Sequence, residues 1–204
     1  MIEWSDADAQ CSSAGMEATE YEVVAVGRSM LRCFIVDAIA STRRLLIRPW
    51  RDDDAVPLAA MGSDLEFVRY LQGRPWTIDD ATGMISNCRA VNDEIGVTLW
   101  ALEDRASSDL VGYCGLAKTN AACVRTDFIE IGWGIEHSRW GQGLATEAAS
   151  RVMALASDRF ARGWVIAKCH IDNRASERVM QHVGLQRVGV IRYLDNATVL
   201  YRSR

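Results

Sequence analysis

The stretch that most restricts the fold runs from Asp127 to His170. "DFIEIGWGI" alternates like a strand, "HSRWGQG" turns, and from Leu144 a long helical apolar pattern follows. "WVIAKCH" (Trp164–His170) is then a near-continuous apolar run, as in a buried strand. A strand, a helix and a second strand in that order make a crossover, and a crossover joins parallel strands. The segment before it reads differently. "GVTLWALED" (Gly96–Asp104) and "DLVGYCGLAKT" (Asp109–Thr119) alternate and lead into Asp127–Ile135 through short polar connections, the pattern of an antiparallel meander. A single parallel pair must then sit inside an otherwise antiparallel sheet.

The other elements fit around that sheet. "RLLIRPW" (Arg44–Trp50) is a short strand stopped by Pro49. Asp52 to Asp54 supply an N-cap and first-turn acids to a helix that Gly62 should stop. Asp64–Leu71 predicts a second short helix. Thr77 caps a third, and Gly83 inside it weakens it. In the long helix Ala145, Ala148, Ala149, Val152, Ala156 and Phe160 share one face, with Glu147, Arg151, Asp158 and Arg162 opposite and Gly163 at the end. "DNRASERVMQHVG" is a helix capped by Asp172 or Asn173, with Val179, Met180 and Val183 inward and Gly184 at C′. Two strands joined by a turn at Asp195-Asn196 close the chain. Residues 1–41 begin acidic and weakly patterned, and Tyr21–Ile39 is more apolar and compatible with a strand or a docking helix; the segment reads as a mobile extension or an over-long start, leaving 42–204 as the domain.

Charge and cysteine usage exclude several classes. A net charge of −4 over 204 residues argues against a general nucleic-acid binder, whose affinity comes from a basic face. The six cysteines are scattered and form no CxxC pair, and with no signal peptide in view they imply a reducing cytoplasm without a disulfide framework. His137, His170 and His182 lack ligand spacing, so no metal is expected. The longest apolar run, Met30–Ala40, contains Arg32 and Asp37 and is no membrane span.

"WGQGLATEA" places two glycines where a strand enters a helix. Glycine lets backbone approach a ligand closely, and the helix N-terminus favours an anion. A tight strand-to-helix turn would use the same glycines. The stretch fails as a dinucleotide fingerprint, because Thr146 holds the third glycine position and no acid ends the next strand. No Gly-Lys-Ser/Thr follows, so it is not a P-loop either.

The wider constellation "EIGWGI…RWGQGLATEA…WVIAKCHIDNRASERVMQHVGL…RVG", with "TRRLLIRPW" before it and "LYRSR" after, resembles the GNAT superfamily of acyl-CoA-dependent N-acetyltransferases, and within it the RimJ/RimL-type branch. The resemblance covers roughly residues 42–204. It implies the α/β (α+β) GNAT fold, a mixed and mostly antiparallel central sheet flanked by helices. It also implies acetyl-CoA as co-substrate and an N-acetyltransferase acting on a primary amine, either a protein N-terminus or a small molecule. An acyl-CoA-binding module without turnover is the alternative. By resemblance Gln142, Gly143, Leu144, Ala145 and Thr146 hold the pyrophosphate through main chain, and Gly134-Ile135 pair with the pantetheine amides as an added strand would. Asn173 contacts the pantetheine arm, caps its helix, or both. Arg139 reaches an adenosine phosphate or is a solvated surface arginine. Trp140 departs from the Gln/Arg of the superfamily loop. Monomer and homodimer are both compatible with the sequence.

Acetyl transfer needs a neutral amine, a stabilised oxyanion and a protonated leaving thiolate. Glu130, an acid in the apolar strand "FIEIGW", is the candidate base; it would otherwise be a solvent-facing strand residue. Ser176 in "DNRAS" is the candidate acid by resemblance; it would otherwise bond backbone in a first turn. Met180 stands where some relatives carry a tyrosine acid, and Lys168 stands near an acid that others carry. The oxyanion partner is expected to be a main-chain N–H at the end of the Asp127–Ile135 strand. Acceptor choice is expected from Asp52–Asp93 and the hairpin Arg192–Thr198, with Trp50, Trp76, Trp100 and Trp133 as candidate groove walls, although most of the seven tryptophans are expected in the core.

Overall fold

The computed structural model describes residues 38–71, 73–118, 129–159 and 165–203. The expected extension lies outside the described residues up to position 37, as do Phe160, Arg162, Gly163 and Trp164. The described strands are β1 (Ala40–Ser41), β2 (Leu45–Arg48), β3 (Leu99–Asp104), β4 (Leu110–Lys118), β5 (Ile129–Ile135), β6 (Val165–His170), β7 (Gln186–Tyr193) and β8 (Asn196–Arg202). The helices are α1 (Ala55–Ser63), α2 (Leu65–Val68), α3 (Ile78–Ile95), α4 (Leu144–Arg159) and α5 (Arg174–His182). The strands form one sheet of order β1-β2-β3-β4-β5-β6-β8-β7. Only β5 and β6 run parallel among these neighbours, and α4 joins them. The expected meander of β3, β4 and β5 and the expected crossover are both present. The sheet begins slightly ahead of the expected boundary, since Ala40 is buried and pairs with Ile47.

Alternation along the strands feeds two cores. On one face Leu45, Ile47, Trp100, Leu102, Cys114, Ile131 and Ile135 meet Leu144, Ala148, Ala149, Val152 and Ala156 of α4 and Met180 of α5. Small alanines at the α4 contact let the helix backbone lie close to the sheet. On the other face Ala101, Leu110 and Tyr113 meet Leu58 and Met61 of α1, Phe67 and Val68 of α2, and Ala81, Ile85 and Cys88 of α3. Helices thus cover both faces of the sheet around β3 and β4, and Ile166 and Leu200 form a smaller cluster with Ile191 and Tyr193.

Local chemistry explains the helix ends. Thr77 accepts from the Asp80 N–H while the Asp80 carboxylate accepts from the Thr77 N–H, a capping box that starts α3. Gly96 ends α3 in the left-handed region. Asn173, rather than Asp172, caps α5 by accepting from the Ser176 N–H at 3.0 Å. Two expectations are corrected. Gly62 does not stop α1; it lies inside it, and a Cβ there would come within 2.6 Å of Trp76. The glycine seats an indole, and Asp64 makes the break by accepting from the Glu66 N–H. The β7–β8 turn is Leu194-Asp195, both at positive φ (45° and 63°), so it is one residue earlier than expected.

Candidate active site

The site grows out of incomplete pairing between β5 and β6. Their ladder contains only Ile129↔Val165 and Glu130↔Ile166. Beyond those pairs the strands part, and a cavity of about 840 Å³ opens between them. Gly134, Ile135, Gly143, Leu144, Ala145 and Thr146 line it on the β5–α4 side. Asn173 and Ser176 line it from α5, and Glu130 and Arg139 also contribute. Ten of the eleven predicted site residues therefore meet at one cavity. Gln142 is the exception: it is exposed and outside the lining.

The glycine loop has the geometry of an anion cradle. Gly141 and Gly143 sit at φ 75° and 76°, a region that costs an L side chain about 1 kcal/mol or more. The first helical hydrogen bond of α4 runs from the Glu147 N–H to the Gly143 carbonyl. The N–H groups before it have no carbonyl one turn earlier to meet, and they carry the positive end of the helix dipole. Trp140, the departure in the motif, donates its indole N–H to the Ile135 carbonyl at 2.6 Å and lies against His137. It ties the loop to the end of β5 and takes one of the two acceptor positions of the Ile135 carbonyl.

An arginine that sequence reasoning did not single out holds the loop from outside the cavity. The Arg44 Nη1 donates to the Gln142 carbonyl at 2.9 Å and its Nε to Glu147 at 2.7 Å. Glu147 also accepts from the Thr42 hydroxyl at 2.5 Å and the Arg44 N–H at 2.9 Å. Burial pushes the Glu147 carboxyl up, but these donors outweigh it and hold the group below its ordinary value. The residue expected to face solvent is thus the anchor of the α4 N-terminus. Arg139 was expected either near a phosphate or as a solvated surface arginine, and it lines the cavity with its charge held by acids. It donates to Asp104 at 3.2 Å and lies 3.8 Å from both Asp109 and Glu136. Three acids hold its charge, and its orientation follows from them.

Glu130 lines the cavity with its charge already paired. Its carboxylate takes a hydrogen-bonded ion pair from Lys168 of β6, with side-chain exposures of 19% and 10%. The Lys168 ammonium lies 4.5 Å from the centre of the Tyr193 ring. Ser176 is half-buried and at the cavity wall, with its N–H committed to the Asn173 cap. Met180, 1% exposed, reaches the same wall, so no phenol enters from α5.

The acceptor side is built mostly from residues without a sequence signature. Phe67, Tyr70, Leu99, Tyr113 and His170 line it. Tyr70 stacks on the His170 ring at 5.4 Å and donates to the Asp172 carbonyl at 3.3 Å. His170 Nδ1 accepts from the Asp172 N–H at 3.1 Å, which leaves the neutral ring's hydrogen on Nε2. Of the four candidate tryptophans only Trp133 lines the cavity. Trp50 and Trp100 are core residues at 4% and 2% exposure, and Trp76 covers Gly62. The final hairpin contributes Tyr193 behind Lys168 rather than a groove wall. Cys169 also lines the cavity; burial pushes its thiol up to about 12, and Glu177 adds to the shift.

Comparison with known proteins agrees with this geometry. The acetyltransferase (GNAT) domain family matches residues 44–186. The uncharacterized N-acetyltransferase YoaA of Bacillus subtilis (strain 168) is 31% identical over 156 residues, spanning 76% of this chain and 86% of YoaA. A putative GnaT-family acetyltransferase from Bordetella pertussis superposes with a TM-score of 0.71 at 20% identity, over 81% of this chain and 98% of that one. RimL, a ribosomal L7/L12 α-N-protein acetyltransferase solved with coenzyme A, superposes with a TM-score of 0.68 at 14% identity, over 81% and 96% of the chains. At those identities the superpositions speak for the fold. With the family match over most of the domain, they place this chain in the GNAT acetyltransferase family, to which it belongs.

Proposed function

We propose that this acetyl-CoA-dependent N-acetyltransferase holds its co-substrate across the β5–β6 gap and acetylates a primary amine arriving from the α2 side. The observation that carries the reading is the parting of β5 and β6 beside a loop with two positive-φ glycines and an open helix N-terminus. In this reading the amides of Gly143 to Thr146 take the pyrophosphate, and Asn173 with the Gly134 backbone takes the pantetheine arm. Gln142 supports the loop through its carbonyl. Acetyl-CoA supplies an activated acyl group, so the chain needs no side-chain nucleophile.

The remaining work is proton handling. An alkyl amine is mostly protonated at neutral pH. Glu130 is the proposed base, directly or through a water, and an incoming ammonium competes with Lys168 for its carboxylate. Ser176 is the proposed donor to the leaving sulfur. The first acceptor class to test is a protein N-terminal amine, as in the RimJ/RimL-type resemblance and as RimL, a ribosomal L7/L12 α-N-protein acetyltransferase, suggests. The free thiols of Cys88, Cys114 and Cys169 support a reducing, cytoplasmic setting.

Melting with acetyl-CoA, CoA and NAD tests binding. Ligand at about 100 times its dissociation constant adds about 2.7 kcal/mol, or roughly 5–10 °C for a domain this size. A shift with the coenzyme A species alone is expected; no shift with either overturns the reading. Thiol release over N-terminal peptides, polyamines and aminoglycosides then tests turnover. Binding without turnover on any amine would replace the enzyme with an acyl-CoA-binding module.

A further inference from the structure

Met180 leaves the α5 side of the cavity without a phenol, but β4 supplies one. Tyr113 stands directly opposite Gly134 in the β4–β5 ladder. A Cβ built on Gly134 would come within 2.7 Å of two Tyr113 ring carbons and 2.9 Å of its hydroxyl oxygen. The outer edge of the phenol therefore lies over the Gly134 backbone. Neighbouring strands are about 4.8 Å apart, a span the tyrosine side chain covers from its Cα. The ring starts on β4 and lies over β5 where glycine leaves room, and Tyr113 lines the cavity that opens where β6 parts from β5. Phe67 meets the ring edge-on, 6.4 Å between centres at 81°, and fixes its tilt. Tyr113 is 5% exposed yet lines the cavity, and its hydroxyl has no hydrogen-bond partner among the described residues.

We infer that the Tyr113 hydroxyl is a catalytic hydrogen-bond donor to the thioester oxygen, working beside the β5 main chain. This rests on the acetyl-transfer reading above. In the step it serves, the amine nitrogen forms a bond to the carbonyl carbon and the C=O electron pair moves onto oxygen, where the Tyr113 O–H donates. The pair returns, the C–S bond breaks, and the proton shed by the amine balances the one gained by the thiolate sulfur. Tyr113 keeps its proton throughout. Burial raises its phenol above the ordinary value, so transfer to a thiolate would run uphill while hydrogen-bond donation does not.

The test compares the intact chain with Tyr113→Phe, which removes one oxygen and preserves the packing against Phe67. We expect kcat to fall on the order of 100-fold, with the acetyl-CoA KM and the melting shift by CoA unchanged. The kcat ratio between the two proteins should stay constant from about pH 6 to pH 9, because the donor does not titrate there. A kcat within twofold of the parent overturns the inference, as does a rise confined to the acceptor KM. A ratio that changes with pH overturns the donor role in favour of proton transfer. If the parent protein neither binds acetyl-CoA nor releases thiol, the acetyl-transfer reading fails and takes this inference with it. If the parent turns over and Tyr113→Phe matches it, only the inference fails.

Discussion

Replacing Arg44 by alanine should weaken coenzyme binding without touching the chemistry. The guanidinium makes two bonds that matter to the loop, to the Gln142 carbonyl at 2.9 Å and to Glu147 at 2.7 Å. A hydrogen bond to a charged group is worth about 1.5–3 kcal/mol when shielded. Here the Arg44 side chain is 33% exposed and that of Glu147 18%, so solvent reduces the ion pair to about 1 kcal/mol. The more exposed carbonyl bond adds about 0.5 kcal/mol. Glu147 keeps the Thr42 hydroxyl and the Arg44 N–H, so no buried charge is orphaned. If the loop loses about 1.5 kcal/mol of pre-organisation, the KM for acetyl-CoA rises about tenfold. The kcat stays within about twofold and the melting temperature falls roughly 3–6 °C. Arg44→Lys should be intermediate, since a point charge cannot serve both acceptors at once. Initial rates of thiol release at varied acetyl-CoA decide the matter. A lowered melting temperature with an unchanged KM would show that Arg44 braces the fold and not the cradle.

Glu130→Gln should lower kcat by about 10²-fold or more at neutral pH while the CoA-induced melting shift persists; equal turnover by stopped-time thiol assay would make Glu130 a partner for Lys168 and nothing further. Asp54→Asn should destabilise the protein by about 3 kcal/mol in urea unfolding, because Arg48 and Asp54, each 4% exposed, form a buried pair with Glu103 completing the cluster. A loss under about 1 kcal/mol would mean that the cluster relaxes. The Glu147 carboxyl is held below its ordinary value of 4.5, so it stabilises the fold above that pH and loses this as the pH drops through its folded value. The melting-temperature gap between the parent and Glu147→Gln should therefore be flat above about pH 5.5 and close below 4.5. A gap that widens toward low pH would contradict the assignment.

Most of the fold was legible because it is written in local spacing. Two-fold alternation marked β3, β4 and β5, and helical spacing marked α4 and α5. The order strand, helix, strand compelled the parallel β5–β6 pair. Thr77 and Asn173 announced their caps because a cap acts within three residues. Gly62 misled for the complementary reason: a glycine that ends a helix and one that seats a distant indole look alike until Trp76 is placed.

The loop proposed to hold the coenzyme was readable for similar reasons. The donors it would offer are main-chain groups, and a glycine pattern before a helix start encodes them within a few residues. The side chains around it were not readable. Arg44 meets Glu147 across 103 positions, Glu130 meets Lys168 across 38, and Tyr113 reaches Gly134 through the β4–β5 register. None of these partners has a fixed offset from the other. Periodicity assigns a residue to a face, but a contact needs the register and the point at which two strands part. In this chain the local pattern carried the family resemblance and pointed to the proposed cradle. Register and the parting of β5 and β6 chose which acid is paired, which arginine grips the loop and which phenol faces the gap.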